Sequence, residues 1–169
     1  MPKVTGVDAD GRAVWVNQPG RITVVLATNE HSQDQARAAG QSLYPFQGRP
    51  DFKFIVVADL RDSIARWVPS LVISRTRVTL DHEALQLKPY FLKNGNKSDP
   101  RKSSCVIPDF SGTICPQLGW AKPSSWLRVI LFDADGREIK RWDKLADENI
   151  LPIEVEKAIQ GLSKKSSSP

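Results

Sequence analysis

The amino-acid sequence predicts a single α/β domain, and three stretches carry that expectation. Ile22–Leu26 is an unbroken apolar, mostly β-branched run, as in a strand buried on both faces. It leads through Ala27–His31 into a helical pattern that Ser32 is suited to cap. Phe52–Ala58 is a second such strand, so strand, helix and strand fit into about 37 residues, the span of a right-handed βαβ crossover. Trp126–Phe132 is a third strand, closed by the turn Asp133-Ala-Asp-Gly136.

Composition sets the outer bounds. A chain of 169 residues fits one domain with a full core. Hydrophobic content of 40% with 25% charge is that of a globular chain, not of a disordered one. The net charge of +5 comes largely from Lys88–Lys102 and Lys164-Lys165. Neither forms a Lys/Arg stripe with interleaved aromatics, so solvated loops are expected and no nucleic-acid groove. No apolar run approaches the roughly 20 residues that span a bilayer. Met-Pro-Lys-Val-Thr at the start lacks a signal-peptide core. The expectation is a soluble protein, periplasmic or secreted if a signal peptide has been removed and cytoplasmic otherwise. Two Cys and two distant His make a poor metal set, so no metal and no cofactor is expected.

In chain order, Val7–Val16 reads as strand, tight turn and strand, because Asp10-Gly11 is a strong hairpin signal. The same Asp-Ala-Asp-Gly returns at 133–136, as two turns of one chemistry rather than a duplication. Ser32–Leu43 is the first helix, followed by a loop marked by Pro45, Gly48 and Pro50. Asp62-Ser63 suits the cap of a second helix, Ser63 to about Ile73, which Pro69 kinks or ends. The pattern from Thr76 to Lys93 allows a helix starting near Leu80, with Pro89 against its second half. Asn94–Ser104 is a polar loop, and Cys105–Asp109 a short strand. Ser111–Leu118 reads as a short helix interrupted by Pro116 and stopped by Gly119. Arg137–Trp142 is the antiparallel partner of the 126–132 strand. A closing helix has Pro152 in its first turn and Ile153, Val155, Ile159 and Leu162 on its apolar face. The domain is expected to span 1–163, with a disordered tail at 164–169.

This order of elements resembles the thioredoxin-like superfamily. Leu26-Ala27-Thr28 fits the end of the buried strand that leads into a W-A-T-W-C-x-x-C type motif. Laying Ala27-Thr28 on that A-T puts Asn29 at the Trp, Glu30 at the first Cys and Gln33 at the second. Glu30-His31-Ser32-Gln33 contains no thiol, and thioredoxin and peroxiredoxin chemistry rests on a low-pKa thiolate at that helix N-terminus. Val129–Ile139 resembles the closing F-L-I-D-x-D-G-x-I segment of the peroxiredoxin and TlpA-like branch, and Asp109–Gly119 resembles the D-x-x-G and short helix before it. The second half is also similar to the YtfJ family, whose members likewise lack the paired cysteines. The resemblance implies a three-layer α/β/α sandwich with about five core strands and an N-terminal hairpin. It makes residues 75–104 a mid-chain insertion. It also implies a cis-proline near Leu127-Arg128, where Pro123 lies four residues too early.

Candidate site residues follow. Asn29, Glu30, His31, Ser32 and Gln33 occupy the former active-site position. Histidine and glutamate are residue types suited to proton transfer, but His31 and Glu30 are neighbours on a tight turn and are expected to point apart, as a polar loop. Ser32 lacks a surrounding nucleophile elbow and is expected to act as an N-cap. Cys105 and Cys115, spaced C-x9-C, stand as a structural disulfide, as inert thiols or as a working redox pair. Lys102 beside Cys105 is expected to lower its pKa. Trp120 and Trp126 bracket the loop expected to face Asn29–Ser32, and with Leu127 and Arg128 they are the expected lining of a groove. Asp81, His82 and Glu83 are expected to splay around a helix as a solvated face. The leading expectation is a redox-inactive thioredoxin-fold protein that binds a peptide or protein partner in that groove. The alternative is a divergent thiol–disulfide oxidoreductase or peroxiredoxin-like protein, part of cell redox homeostasis, using Cys105 and Cys115.

Overall fold

The structure, a computed structural model, describes residues 2–166, with side chains as far as Leu162. Its organising strand is β3 (Ile22–Thr28), buried along nearly its whole length. A strand with no wet face must be paired on both edges and covered on both sides. β3 runs parallel to β4 (Phe52–Asp59) on one edge and antiparallel to β6 (Arg128–Phe132) on the other. β5 (Val106–Asp109) and β7 (Glu138–Trp142) extend the sheet to the order β5-β4-β3-β6-β7. Alternation along β3 then assigns the layers. Ile22, Val24 and Leu26 point to a core shared with Ala39 of α1 (Gln33–Ser42), with Leu43 that caps it, and with Leu151, Val155 and Ile159 of α5 (Ile150–Ser166). Val25 and Ala27 point to the opposite core. There Val4, Val14 and Val16 cover the sheet from the N-terminal hairpin, β1 (Thr5–Val7) and β2 (Ala13–Trp15), beside Trp120 and the short α4 (Ile114–Gln117).

The two Asp-Ala-Asp-Gly turns have one geometry. Asp8 Oδ1 accepts from the backbone N–H of Asp10 (2.9 Å) and Arg12 (2.8 Å), and Asp133 Oδ1 accepts from Asp135 (2.9 Å) and Arg137 (2.8 Å). The glycine closes each turn at positive φ, +82° for Gly11 and +73° for Gly136.

The middle of the chain departs from the sequence reading. Ser63 caps only a 3₁₀ turn, Ile64–Trp67, through its hydroxyl to Ala65 N–H (3.1 Å). The second helix, α2, starts at Pro69 and runs unbroken to Lys93. Pro69 begins a helix rather than ending one, because a first-turn residue needs no N–H donor. Pro89 sits inside α2 on an exposed face, as does Leu85 four residues before it, so the carbonyl that the ring leaves unpaired lies on the water side. The boundary expected between a second helix and an insertion at 75–104 does not exist. Those residues are the body of α2, a polar loop and the one-turn α3 (Pro100–Ser103), and together they form the crossover that parallel β4 and β5 require. Asp81 and His82 on α2 are exposed, as expected of a solvated face, and Asp81 also accepts from Arg101 at 2.7 Å. At the C-terminus α5 continues to Ser166, past the expected start of the tail at 164; residues 167–169 of that tail lie outside the described residues.

Gly48 shows how closely the crossover is docked. It has φ +84°, and a Cβ built there meets Phe91 Cγ at 2.8 Å and its backbone Cα at 2.9 Å. Gly48→Ala is therefore expected to destabilise by roughly 3 kcal/mol, adding overpacking to the left-handed penalty. Gly11→Ala, with φ +82° but nothing within 4 Å, should lose only about 1 kcal/mol. Urea unfolding of the two variants checks this, and equal losses would contradict the docking.

Candidate functional site

The carboxyl ends of β3 and β4 meet the loop before β6 at the point where the sheet order reverses, the usual place for a site in an open α/β sheet. An open cleft of about 200 Å³ lies there, lined by Asn29, Glu30, His31, Asp59, Pro123 and Ser124 among others. Asn29 spans its floor. Its Nδ2 donates to the Ser124 carbonyl (2.7 Å), which fixes the 121–125 loop against the end of β3.

The side chains that face each other across the turn are Asn29 and Ser32. Ser32 Oγ accepts from Asn29 N–H (3.2 Å), donates to Asn29 Oδ1 (3.4 Å) and lies 3.0 Å from Thr28 Oγ1. Ser32 is buried, whereas Glu30, His31 and Gln33 are exposed. The i,i+3 pair in mutual contact is thus Asn29–Ser32, not the Glu30 and Gln33 that the motif count implied. Ser32 does occupy the N-cap position of α1, but its hydroxyl makes no capping bond, because it is turned back toward Asn29 and Thr28. Glu30 and His31 do not point apart either. Oε1 and Nε2 approach to 3.7 Å, with both side chains well exposed.

Two carboxylates that the sequence reading passed over hold the rest of the cleft. Asp59 ends β4 and takes a two-pronged bond from Arg61, Nε to Oδ1 at 2.8 Å and Nη2 to Oδ2 at 2.7 Å. The side chains of Asp59 and Arg61 are only 7% and 14% exposed, so this is a buried ion pair. The rest of the guanidinium donates to the carbonyls of Ala121 (2.8 Å) and Trp120 (3.2 Å), fastening that loop to β4. Burial alone would raise the Asp59 carboxyl; the Arg61 bonds and charge together outweigh it and hold the group below its ordinary value. Asp109, at the end of β5, accepts from the N–H groups of Thr113, Ile114 and Cys115 at 2.8–3.0 Å and so fixes the start of α4. Both acids stand at the ends of apolar strands, and Arg61 follows Asp59 by two residues. That was the legible signal.

Cys105 and Cys115 are free thiols. They lie at opposite ends of β5: the Cys105 carbonyl accepts from Val56 N–H, while Cys115 N–H reaches Asp109 Oδ2. Four strand residues separate those ends by about 13 Å, beyond the roughly 7 Å that a disulfide tolerates between Cα atoms. Neither thiol is activated. Burial pushes Cys105 up to about 12, with the charge of Asp8 adding to the rise; together they outweigh the lowering by Lys53 and Arg12, so the net fall expected from Lys102 is not found. Burial also raises Cys115, and Asp59 and Asp109 raise it further.

The aromatic pair separates. Trp120 is buried in the hairpin-side core, its indole N–H on Asp143 (2.9 Å), and Leu127 is fully buried in the other core, so neither lines the cleft. Trp126 is 52% exposed, with the Lys144 ammonium 3.4 Å from its ring centroid. Arg128 is half-buried and donates to the Lys122 carbonyl (2.8 Å). Pro123, early by count, lines the cleft directly, because Ser124–Trp126 add length before β6. Among the described residues no cluster of three His, Cys, Asp or Glu could hold a metal, and no helix is long and apolar enough to cross a membrane.

No protein-family model and no curated protein sequence matches the chain. Solved structures do. The DsbF protein of Mycobacterium tuberculosis is similar with a TM-score of 0.58 at 16% identity, over 92% of this chain and 95% of that one. A putative thiol:disulfide interchange protein DsbE from Chlorobium tepidum is similar with 0.56 at 13% identity, over 94% of each chain. StoA from Bacillus subtilis is similar with 0.57 at 12% identity, over 92% and 98%. The chain has the thioredoxin-like fold.

The Asp59–Arg61 pair gives a pH-dependent prediction. A carboxyl held below its unfolded value contributes stability that is present above about pH 4 and is lost as pH falls through the depressed folded value. Asp59→Asn leaves the Arg61 charge buried and should cost roughly 3 kcal/mol at neutral pH. The difference from the unsubstituted protein should shrink as the pH is lowered below about 4. Urea titrations across that range read it, and a constant difference would contradict the pairing.

Proposed function

We propose that this protein is a redox-inactive member of the thioredoxin-like fold, which binds a peptide or protein segment in the cleft at the end of β3. The observation that carries the reading is the Asn29–Ser32 pair. It puts hydrogen-bonding groups, and no sulfur, where the turn brings two side chains together. Nucleophilic thiol exchange needs an accessible thiolate; Cys115 is buried, Cys105 is half-buried, and burial raises the pKa of both.

The surroundings suit a polypeptide ligand. Asp62 and Ser63 line the cleft, and Ile64 and Trp67, just beyond, are 85% and 73% exposed. Trp126 follows the lining residue Ser125 on the other side. Large exposed apolar side chains beside a polar cleft are a usual mark of a protein-binding surface. Glu30 and Asp62 give the cleft an acidic margin, whereas the Asp59 charge is met by Arg61. The reading therefore favours a segment with basic and apolar residues and a free backbone.

The second reading is a thiol–disulfide oxidoreductase working through Cys105 and Cys115, supported by the activities in the names of the structural neighbours. Its difficulty is the strand-length separation of the two sulfurs. Turnover assays discriminate. With dithiothreitol as electron source, insulin reduction and peroxide consumption should stay at background, unchanged by Cys105→Ser. Turnover above background that either Cys105→Ser or Cys115→Ser abolishes would establish the second reading instead. For binding, peptides of alternating Lys/Arg and Leu/Trp should shift the NMR resonances of Asn29 and Ser124. Shifts confined to other faces would contradict the cleft as the binding site.

A further inference from the structure

A second concavity lies at the opposite end of the sheet. It measures about 520 Å³, within the range of small-molecule sites, and is walled by the N-terminal hairpin, the start of β4 and the loop before β5. Its charged lining is lopsided: Arg12, Arg21, Arg49, Lys53 and Lys102 against the single carboxylate of Asp8. Two of the five cations are already neutralised. Arg12 is held by Asp8 (2.7 Å) and Asp10 (3.1 Å), and Arg49 grips Asp51 through both prongs at 2.9 Å. That leaves Arg21, Lys53 and Lys102, for which no carboxylate among the described residues lies within ion-pair distance.

Lys53 is the telling member. It sits between Phe52 and Phe54 in β4, half-buried beneath the hairpin, and among the described residues its ammonium donates to the Trp15 carbonyl at 3.2 Å. A half-buried cation normally finds a carboxylate, and an apolar residue there would pack without the desolvation penalty. We propose that this cavity is a binding site for a small molecule with a multiply charged oxyanion head, which Lys53, Arg21 and Lys102 engage. Burial depresses the Lys53 ammonium, and the Arg21 charge depresses it further; a bound anion relieves both. The hydroxyls of Ser98 and Ser103 on the same wall offer neutral donors, and the half-buried Trp15 offers a surface for the body of the ligand. The site shares no lining residue with the cleft at the end of β3 and does not depend on that cleft's function.

The test is calorimetric titration of the intact protein with sodium pyrophosphate and with sodium citrate at fixed low ionic strength. The site predicts a Kd below about 1 mM for at least one of them, weakened about tenfold or more by Lys53→Met and by Arg21→Gln. Lys157→Gln, on the remote face of α5, should bind as the unsubstituted protein does. Preference for pyrophosphate assigns a phosphate-type head, and preference for citrate a carboxylate one. Lys53→Met should also raise the melting temperature without ligand, since it removes an unpaired cation. Arg21 is exposed, so Arg21→Gln keeps the test valid if the Lys53 variant folds poorly. No binding to either anion would overturn the proposal. So would an affinity unchanged in both cavity variants, or one lost equally in Lys157→Gln.

Discussion

Everything in this molecule is arranged around a strand with no solvent-facing side. Once Ile22–Thr28 is apolar on both faces, the chain must supply a layer above it, a layer below it and a partner on each edge. Helices α1 and α5 meet the first need, the hairpin with α4 the second, and β4 and β6 the third. Burial by itself carries no function. It fixes where β3 ends, however, and at that end two neighbouring strands and a connecting loop converge.

What happens at that spot is decided by polar bonding rather than packing. Arg61 joins the end of β4 to the 120–121 carbonyls, and Asn29 joins the end of β3 to Ser124. These contacts tie the 120–125 loop to the ends of both strands. A buried ion pair gives little net stability relative to an apolar substitute, so its presence fits a role in positioning the loop. With Ser32 buried against Asn29, the turn is held by hydrogen bonds between its own side chains. At the other end of the same sheet the charge balance is reversed, with cations in excess of carboxylates around Lys53. The domain thus offers two chemically unlike concavities on one rigid support.

The sheet was legible in the sequence because apolar runs of strand length, bounded by Pro, Gly and Asp, have few other solutions. Ile22–Leu26, Phe52–Ala58 and the strand before Asp133 all fall where the pattern puts them. Helix boundaries were harder for a physical reason: proline is a breaker inside a helix and a good residue at its first turn, and nothing local to Pro69 says which. The turn after β3 was legible in the sequence, and which of its side chains meet was not. Counting from Ala27-Thr28 finds the turn, but only the three-dimensional path tells that Asn29 and Ser32 meet while Glu30 and Gln33 face water. Trp120 and Leu127 misled because a side chain bordering a groove in sequence can belong wholly to a core. Asp59 and Lys53 were overlooked for the opposite reason, as charges at the edge of or inside an apolar strand, where a charged residue is informative because it is expensive.

The central proposal is that Asn29 and Ser32, whose side chains meet across the turn after β3, stand where a dithiol could close. Replacing them in the Asn29→Cys/Ser32→Cys double variant, and comparing Glu30→Cys/Gln33→Cys, tests that geometry directly. Peptide mapping of the oxidised, alkylated proteins reports which introduced sulfurs are joined. The account predicts an intramolecular disulfide in the 29/32 variant and free thiols in the 30/33 variant. A bridge in the 30/33 variant alone, or in neither, would contradict it.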